Sequence, residues 1–251
     1  MKKIFVVGLG PGELNQATGR ALEALENSDI IVGYTVYIDL IKEHFQHKKL
    51  LSTAMKKEAE RCMLAVKEAQ EGQVVSMICS GDAGVYGMAG LMFEVAEAEG
   101  LLDELDIEII PGITAACSGA AVLGAPLMHD FAVISLSDLL TPWELIEKRL
   151  EAAAFADFSI CIYNPSSIKR HDYLQKACDI LLKHRSPDNV AGFVQNIGRE
   201  GEQGIVMDLQ TLRNTKVDMF TTVFIGTSQT KNINGKMITP RGYHLSGGSN
   251  E

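Results

Sequence analysis

The sequence predicts an α/β protein of two domains, each a mainly parallel or mixed sheet flanked by helices. Short apolar runs such as KKIFVVG, DIIVG and VVSMIC alternate with stretches whose apolar residues recur at helical spacing. That alternation is what helical crossovers over a parallel sheet produce. The texture then changes at GAPLMHD, where Pro126 interrupts a helix and a polar pair follows, and the alternation starts afresh. The boundary is therefore expected near residues 124–129, giving domains 1–125 and 126–246, with 247–251 expected to be a disordered tail.

KKIFVVG reads as the first strand. Leu14, Thr18, Ala21, Leu22 and Leu25 then make one largely apolar helical face. DIIVG is a short buried strand; Ala59, Cys62, Met63, Val66 and Ala69 mark the next helix, before the strand VVSMIC. AGVYGMAGLMFEVAEAEG predicts a helix, IEIIPG a strand, and TAACSGAAVLGA a helix of residues small enough to let a neighbour approach closely. The second half offers the strand FAVISLS, a helix from about Pro142 to Ala154 with Thr141 as its cap, and the strand FSICIYN. A helix from about His171 to His184 follows, then NVAGFVQN and TTVFIG as strands. The closing INGKMITPRGYHLSGGSNE, with Asn-Gly and Pro-Arg-Gly turns, reads as a hairpin or edge strand and a frayed end.

Composition narrows the function classes. A chain of 251 residues, 46% hydrophobic and 22% charged, suits a soluble globular enzyme. Its net charge of -9 argues against a nucleic-acid or anionic-membrane surface. The first apolar run is too short for a signal peptide and no later one reaches membrane-spanning length, so a cytoplasmic location is expected. Cys62, Cys79, Cys117, Cys161 and Cys178 show no CxxC and no clustering with histidine, so buried thiols are expected rather than disulfides or a metal site.

The loop Gly8-Leu9-Gly10-Pro11-Gly12 has the look of a dinucleotide fingerprint but lacks its chemistry. Pro11 removes one backbone donor that a pyrophosphate would need, and the acidic residue expected after the second strand is replaced by Gly33 and Tyr34. No GK[ST] is present for a Walker loop. Backbone lining a ligand cleft, or a purely structural turn, are the readings left.

Taken together, VGLGPG, GDAGVYG, PGITAACSGAAVLGAPLMHD and YNP, in this order and spacing, resemble the tetrapyrrole (corrin/porphyrin) methyltransferase family, whose members use S-adenosylmethionine. GYTVYIDLI, HDFAVISLSDLLTPW and IYNPSSIKR are most similar to the branch that methylates carbon 17 of precorrin-3B or cobalt-precorrin-3 with contraction of the ring, in cobalamin biosynthesis. The resemblance spans nearly the whole chain. It implies the two-domain tetrapyrrole methylase fold, a homodimer, a folded S-adenosylmethionine in a cleft between the domains and a precorrin or cobalt-precorrin beside it.

By the same resemblance, Pro11 lies at the cleft, and Gly81, Asp82, Ala83 and Val85 meet the methionine end of the cofactor. Thr114 and Ala115 continue that wall, Tyr163, Asn164, Ala191 and Gly192 close around the adenosyl part, and Thr222 lies near the same rim. Gly10 and Tyr34 fall on the macrocycle side. Physical reasoning adds that SGDAGVYG offers N–H groups after a strand, where a carboxylate can bind, and that Asp82 either holds the cofactor amine or caps the helix after it. Asn164 is held in a particular backbone geometry by Pro165.

Methyl transfer itself calls for alignment and exclusion of water, whereas ring contraction requires proton movement. LMHD supplies the candidates: His129 as acid or base with Asp130 orienting a partner, or both as hydrogen-bonded linker residues. Ser137 and Asp138 either touch the substrate rim or cap the helix begun by TPWELIEKRL, which Trp143 anchors. Lys169 and Arg170 could meet the acetate and propionate arms of a tetrapyrrole, or be ordinary surface residues. No metal ligand set is expected; cobalt would arrive with the substrate. Methylation at another ring carbon, and a non-catalytic tetrapyrrole or adenosyl-ligand binder, are the competing functions.

Overall fold

A computed structural model describes residues 2–167 and 169–243. The chain divides into two compact units between Ala115 and Ala116. The expected tail 247–251 lies outside the described residues.

The first unit holds β1 (Lys2–Gly8), α1 (Gly19–Glu26), β2 (Ile30–Tyr34), α2 (Thr35–Ile41), β3 (Lys49–Thr53), α3 (Glu58–Gln70), β4 (Val75–Cys79), α4 (Ala89–Ala98) and β5 (Leu105–Ile110). Its sheet runs β3-β2-β4-β1-β5, and every pairing is parallel. Ile4, Val6, Ile30, Val32, Val75 and Met77 pack with Cys62, Val66 and Met92 of α3 and α4. The intervening Val7, Ile31 and Ile78 pack with Ala21, Leu25 and Ile41 of α1 and α2. Alternate side chains thus enter opposite helix layers, which is why the strands read as unbroken apolar runs. Each such side chain fully buried contributes about 1.5–3 kcal/mol.

This strand order creates a switch point. The crossover from β1 passes β4 to reach β2, whereas that from β4 passes β1 in the other direction to reach β5. The crossovers from these adjacent strands thus leave in opposite directions, and the carboxyl ends of such a pair are where open α/β sheets bind their ligands.

The second unit holds α5 (Ala115–Leu123), whose first residue lies at the division, then β6 (Gly124–Ala125), β7 (Phe131–Ser135), α6 (Trp143–Phe155), β8 (Ser159–Tyr163), α7 (Tyr173–Leu181), β9 (Val190–Gln195), β10 (Gln203–Asp208), α8 (Leu209–Arg213), β11 (Thr221–Ile225), β12 (Lys231–Ile233) and β13 (Lys236–Ile238). Its main sheet runs β10-β9-β11-β8-β7 and is mixed: β7 and β8 are parallel, and the other pairs antiparallel. β12 and β13 form the expected hairpin, with Asn234 and Gly235 both at positive φ in the turn, and β13 pairs with β6. Leu136, Ile146, Leu150, Ile160, Leu181 and Val223 make the core.

The sequence differs from the structure at several points. The chain divides ahead of Pro126 because α5 packs within the second unit: a Cβ on Gly119 would lie 2.8 Å from the Phe224 ring and 2.9 Å from Ile197 Cδ1. The small residues of TAACSGAAVLGA do admit close neighbours, which at Gly119 are Phe224 of β11 and Ile197 just after β9. The helix after GDAG starts only at Ala89, because Tyr86 is left-handed (φ 53°) and Ala89 N–H closes a wide turn on Ala83 O at 3.0 Å. α6 begins with Pro142 itself in the cap position, with no side-chain cap, so Thr141 does not serve. Pattern reading missed α2, β3, β10 and α8.

Candidate functional site

Three loops meet at the carboxyl ends of β4, β1 and β5. Gly10 and Gly81 exchange backbone hydrogen bonds, N–H of Gly10 to O of Gly81 at 3.0 Å and N–H of Gly81 to O of Gly10 at 2.7 Å. A Cβ on Gly112 would sit 2.2 Å from Gly81 O and 2.5 Å from Gly8 O, and one on Gly8 would sit 2.7 Å from Gly112 N. The chain passes backbone against backbone here, which only glycine permits. The opening GLGPG is therefore a close-approach device at the switch point, with Gly10 and Pro11 buried beneath it.

Asp82 leads out of this junction. Its Oδ1 accepts the N–H of Gly84 at 2.8 Å and its Oδ2 that of Gly112 at 3.0 Å. It does not cap α4, which begins seven residues later at Ala89; it ties the loop after β4 to the loop after β5. A Cβ on Gly81 would lie 3.7 Å from Thr114 Cα and 3.8 Å from Ala115 N. The structure thus brings Gly81, Asp82, Thr114 and Ala115 together. Ala83 is buried and Val85 half-buried on the same loop.

Tyr34, at the end of β2, stands edge-on to Tyr37 at 5.2 Å, with the Arg61 guanidinium 5.8 Å from its ring centroid. Arg61 is only 4% exposed; Nε donates to Thr53 Oγ1 at 2.9 Å and Nη2 to Ala54 O at 3.1 Å. Sequence reading missed this cation. The available signal was its place on α3, four residues before the buried Ala65.

In the second unit a polar cluster gathers at the carboxyl ends of the parallel pair β7 and β8. Asn164 Nδ2 donates to Ser135 Oγ at 2.9 Å, and Ser137 N–H to the same oxygen at 3.2 Å. Asn164 is left-handed (φ 52°), not the extended conformation usual before proline. Asp138 accepts from Arg170 Nε and, at 2.7 Å, from the Tyr173 hydroxyl. Those two donors hold its carboxyl below the usual carboxylate range, Tyr173 most strongly. Asp138 is therefore not a helix cap, and Tyr173, unremarked in the sequence, is its partner. Trp143 anchors α6 as expected: Nε1 donates to Glu147 at 2.6 Å and the ring lies 4.4 Å from that of Tyr173.

The remaining candidates separate. The Tyr163 hydroxyl accepts the N–H of Ala116 at 2.7 Å, satisfying the first turn of α5. Ala191 and Gly192 are buried inside β9, Ala191 in the core and Gly192 with its would-be Cβ 2.6 Å from Ile205 O. Thr222 is buried in β11 opposite Val194. Lys169 is exposed. His129 and Asp130 are exposed on the connection before β7, and His129 Nε2 lies 2.9 Å from Pro240 O. Since a carbonyl only accepts, Nε2 is the nitrogen that carries the hydrogen of this contact.

Four cysteines are buried, whereas Cys117 is exposed, against the expectation for all five. Burial pushes the Cys62 and Cys178 thiols up to about 12 and Cys79 up to about 11, and raises Cys161. Among the described residues no group of three or more His, Cys, Asp and Glu could hold a metal ion, and no helix is long and apolar enough to cross a membrane.

Residues 3–213 match the family model of the Tetrapyrrole (Corrin/Porphyrin) Methylases. The chain belongs to this family. Among curated tetrapyrrole methylases it is 49% identical over 243 residues to the cobalt-factor III methyltransferase of Priestia megaterium, matching 96% of this chain and 45% of that one. It thus spans about half the length of that relative. It is 46% identical to the probable cobalt-factor III C(17)-methyltransferase of Salmonella typhimurium, covering 96% of this chain and 100% of that one. The crystal structure of the methyltransferase CobJ superposes with a TM-score of 0.89 at 35% identity, over 96% of this chain and all of that one. A uroporphyrin-III C-methyltransferase from Thermus thermophilus in complex with S-adenosyl homocysteine shares the methylase fold, with a TM-score of 0.68 at 19% identity.

Proposed function

We propose that this chain transfers the methyl group of S-adenosylmethionine to carbon 17 of a cobalt-bearing precorrin-3-type macrocycle, with contraction of the ring, as a step of cobalamin biosynthesis. The observation that carries this reading is the end-to-end similarity to the Salmonella protein named for that position and for cobalt-factor III. Four relatives 41–49% identical are named for cobalt-factor III, which supports the cobalt-loaded substrate.

The residues fit the methyl donor. Asp82 accepts one backbone N–H on each carboxylate oxygen and keeps spare lone pairs for an ammonium group. Small side chains at Ala83, Thr114 and Ala115 leave volume beside it. When bound, the donor supplies an electrophilic methyl group. This chain's part is to fix the approach line and keep water out. Asp82 orients the amine end, and the Gly8–Gly81–Gly112 junction sets where that carboxylate stands. For the ring-contraction step His129 is the proton carrier: its Nε2–H is held by Pro240 O, and Nδ1 can take a proton. Lys169 and Arg170 belong to the loop that meets the acidic arms. The protein acts as a homodimer in the cytoplasm.

Incubating the purified chain with S-adenosylmethionine and either the cobalt-loaded or the metal-free macrocycle, then weighing the products by mass spectrometry, tests this. A gain of one methyl group on the cobalt-loaded substrate is expected. A methylated product from the metal-free macrocycle alone would overturn the choice of substrate.

A further inference from the structure

We infer that Asp138 and Tyr173 are positioning residues that commit Arg170 to end-on binding of one carboxylate arm of the macrocycle. The inference rests on the function proposed above and deepens it.

A guanidinium has two faces for a carboxylate, the side formed by Nε with one Nη and the end formed by both Nη atoms. In Arg170 the Nε is already engaged by Asp138 Oδ1, so the edge left for a second carboxylate is the Nη pair. Arg170 retains 19% exposure and Asp138 29%, so the pair is neither sealed in the core nor fully in water. Asp138 is itself fixed from behind. Its Oδ2 takes the Tyr173 hydroxyl at 2.7 Å, and Tyr173, first residue of α7, packs its ring 4.4 Å from that of Trp143, first residue of α6. Arg170 thus extends from a loop but is steadied through the first turns of two helices. Such support reduces the rotamer freedom that binding would otherwise cost.

Charge does not explain the arrangement on its own. Asp138 cancels the formal charge of Arg170, so long-range attraction for an acidic macrocycle falls to the neighbouring exposed Lys169. What the Asp138–Arg170–Tyr173 set supplies is a directed, planar pair of donors, and a lysine in place of Arg170 cannot reproduce it. The competing role is a purely structural tie between the loop after β7 and α7.

The test uses the whole chain with cobalt uroporphyrin and its fully methyl-esterified form as probes, titrated by absorbance, beside calorimetry with S-adenosylhomocysteine and a thermal melt. The parent is expected to bind the acid form and to discriminate against the ester. Arg170→Ala and Arg170→Lys should weaken acid-form binding roughly tenfold to a hundredfold and lose most of that discrimination. Asp138→Asn and Tyr173→Phe should shift in the same direction by less. In turnover, KM for the macrocycle should rise with kcat nearly kept, and S-adenosylhomocysteine affinity should not change. Arg170→Lys with parental affinity and parental discrimination, and only a lowered melting temperature, would reduce the set to a structural tie and overturn the inference. A parent that binds S-adenosylhomocysteine but neither tetrapyrrole overturns the proposed substrate, and is seen before any variant is made.

Discussion

Asp82 and Gly112, thirty residues apart, are joined by a 3.0 Å hydrogen bond from the Gly112 N–H to the Asp82 carboxylate. With the second bond to Gly84, it makes one side chain the latch between the loops after β4 and β5. Asp82→Ala should lower stability by roughly 1–2 kcal/mol, since charged hydrogen bonds at a half-buried site are lost. It should also weaken S-adenosylhomocysteine binding in calorimetry. Equal affinity in mutant and parent would leave Asp82 as a latch alone.

Gly112→Ala probes the junction without touching charge. The new methyl would lie 2.2 Å from Gly81 O, so one loop must move. A loss of roughly 1–3 kcal/mol is expected by denaturant titration, with ligand affinity falling alongside it. A variant with parental melting and binding would show that the loops have slack there.

How much of this was legible beforehand follows from what periodicity can report. β1, β2 and β4 announced themselves because both faces are buried, and the Asn234-Gly235 turn announced its hairpin through residues that accept positive φ. β3 and β10 are partly exposed along their length, and so left no unbroken apolar run. The Asp82 loop was legible as a site, but its role as a latch depended on Gly112, thirty residues on, which no local pattern ties to it. Asp138 and Arg170 were both singled out, yet their pairing, and Tyr173 behind it, exist only through the fold.

Acid should expose the Asp138 set. Its folded-state carboxyl titrates below the ordinary value of 3.8, held down by Tyr173 and Arg170. The stabilisation is therefore fully present above that ordinary value and is lost as pH falls through the depressed one. The stability gap between parent and Asp138→Asn should stay level from about pH 5 to 8 and close in stronger acid, in denaturant melts across pH. A gap that does not change with pH would contradict the ionised pairing.

His129→Ala should retain S-adenosylhomocysteine binding while product formation falls by roughly a hundredfold or more, the usual weight of a general acid or base. An unchanged rate on the cobalt-loaded macrocycle would reduce His129 to its bond with Pro240.

Thiol labelling should be selective. Cys117 is exposed and the other four thiols are buried, with their ionisation pushed up by desolvation. Brief treatment of the native protein with an alkylating agent should add one group, located at Cys117 by peptide mapping. Modification at Cys79 or Cys161 at a similar rate would mean that the sheets open far more readily than their packing implies.

The most direct test of the central claim is to make product with an isotope-labelled methyl donor and the cobalt-loaded macrocycle, and to locate the label by NMR. The account predicts one labelled methyl, on carbon 17 of a contracted ring. Label on another ring carbon, or S-adenosylmethionine bound but never consumed, would contradict it.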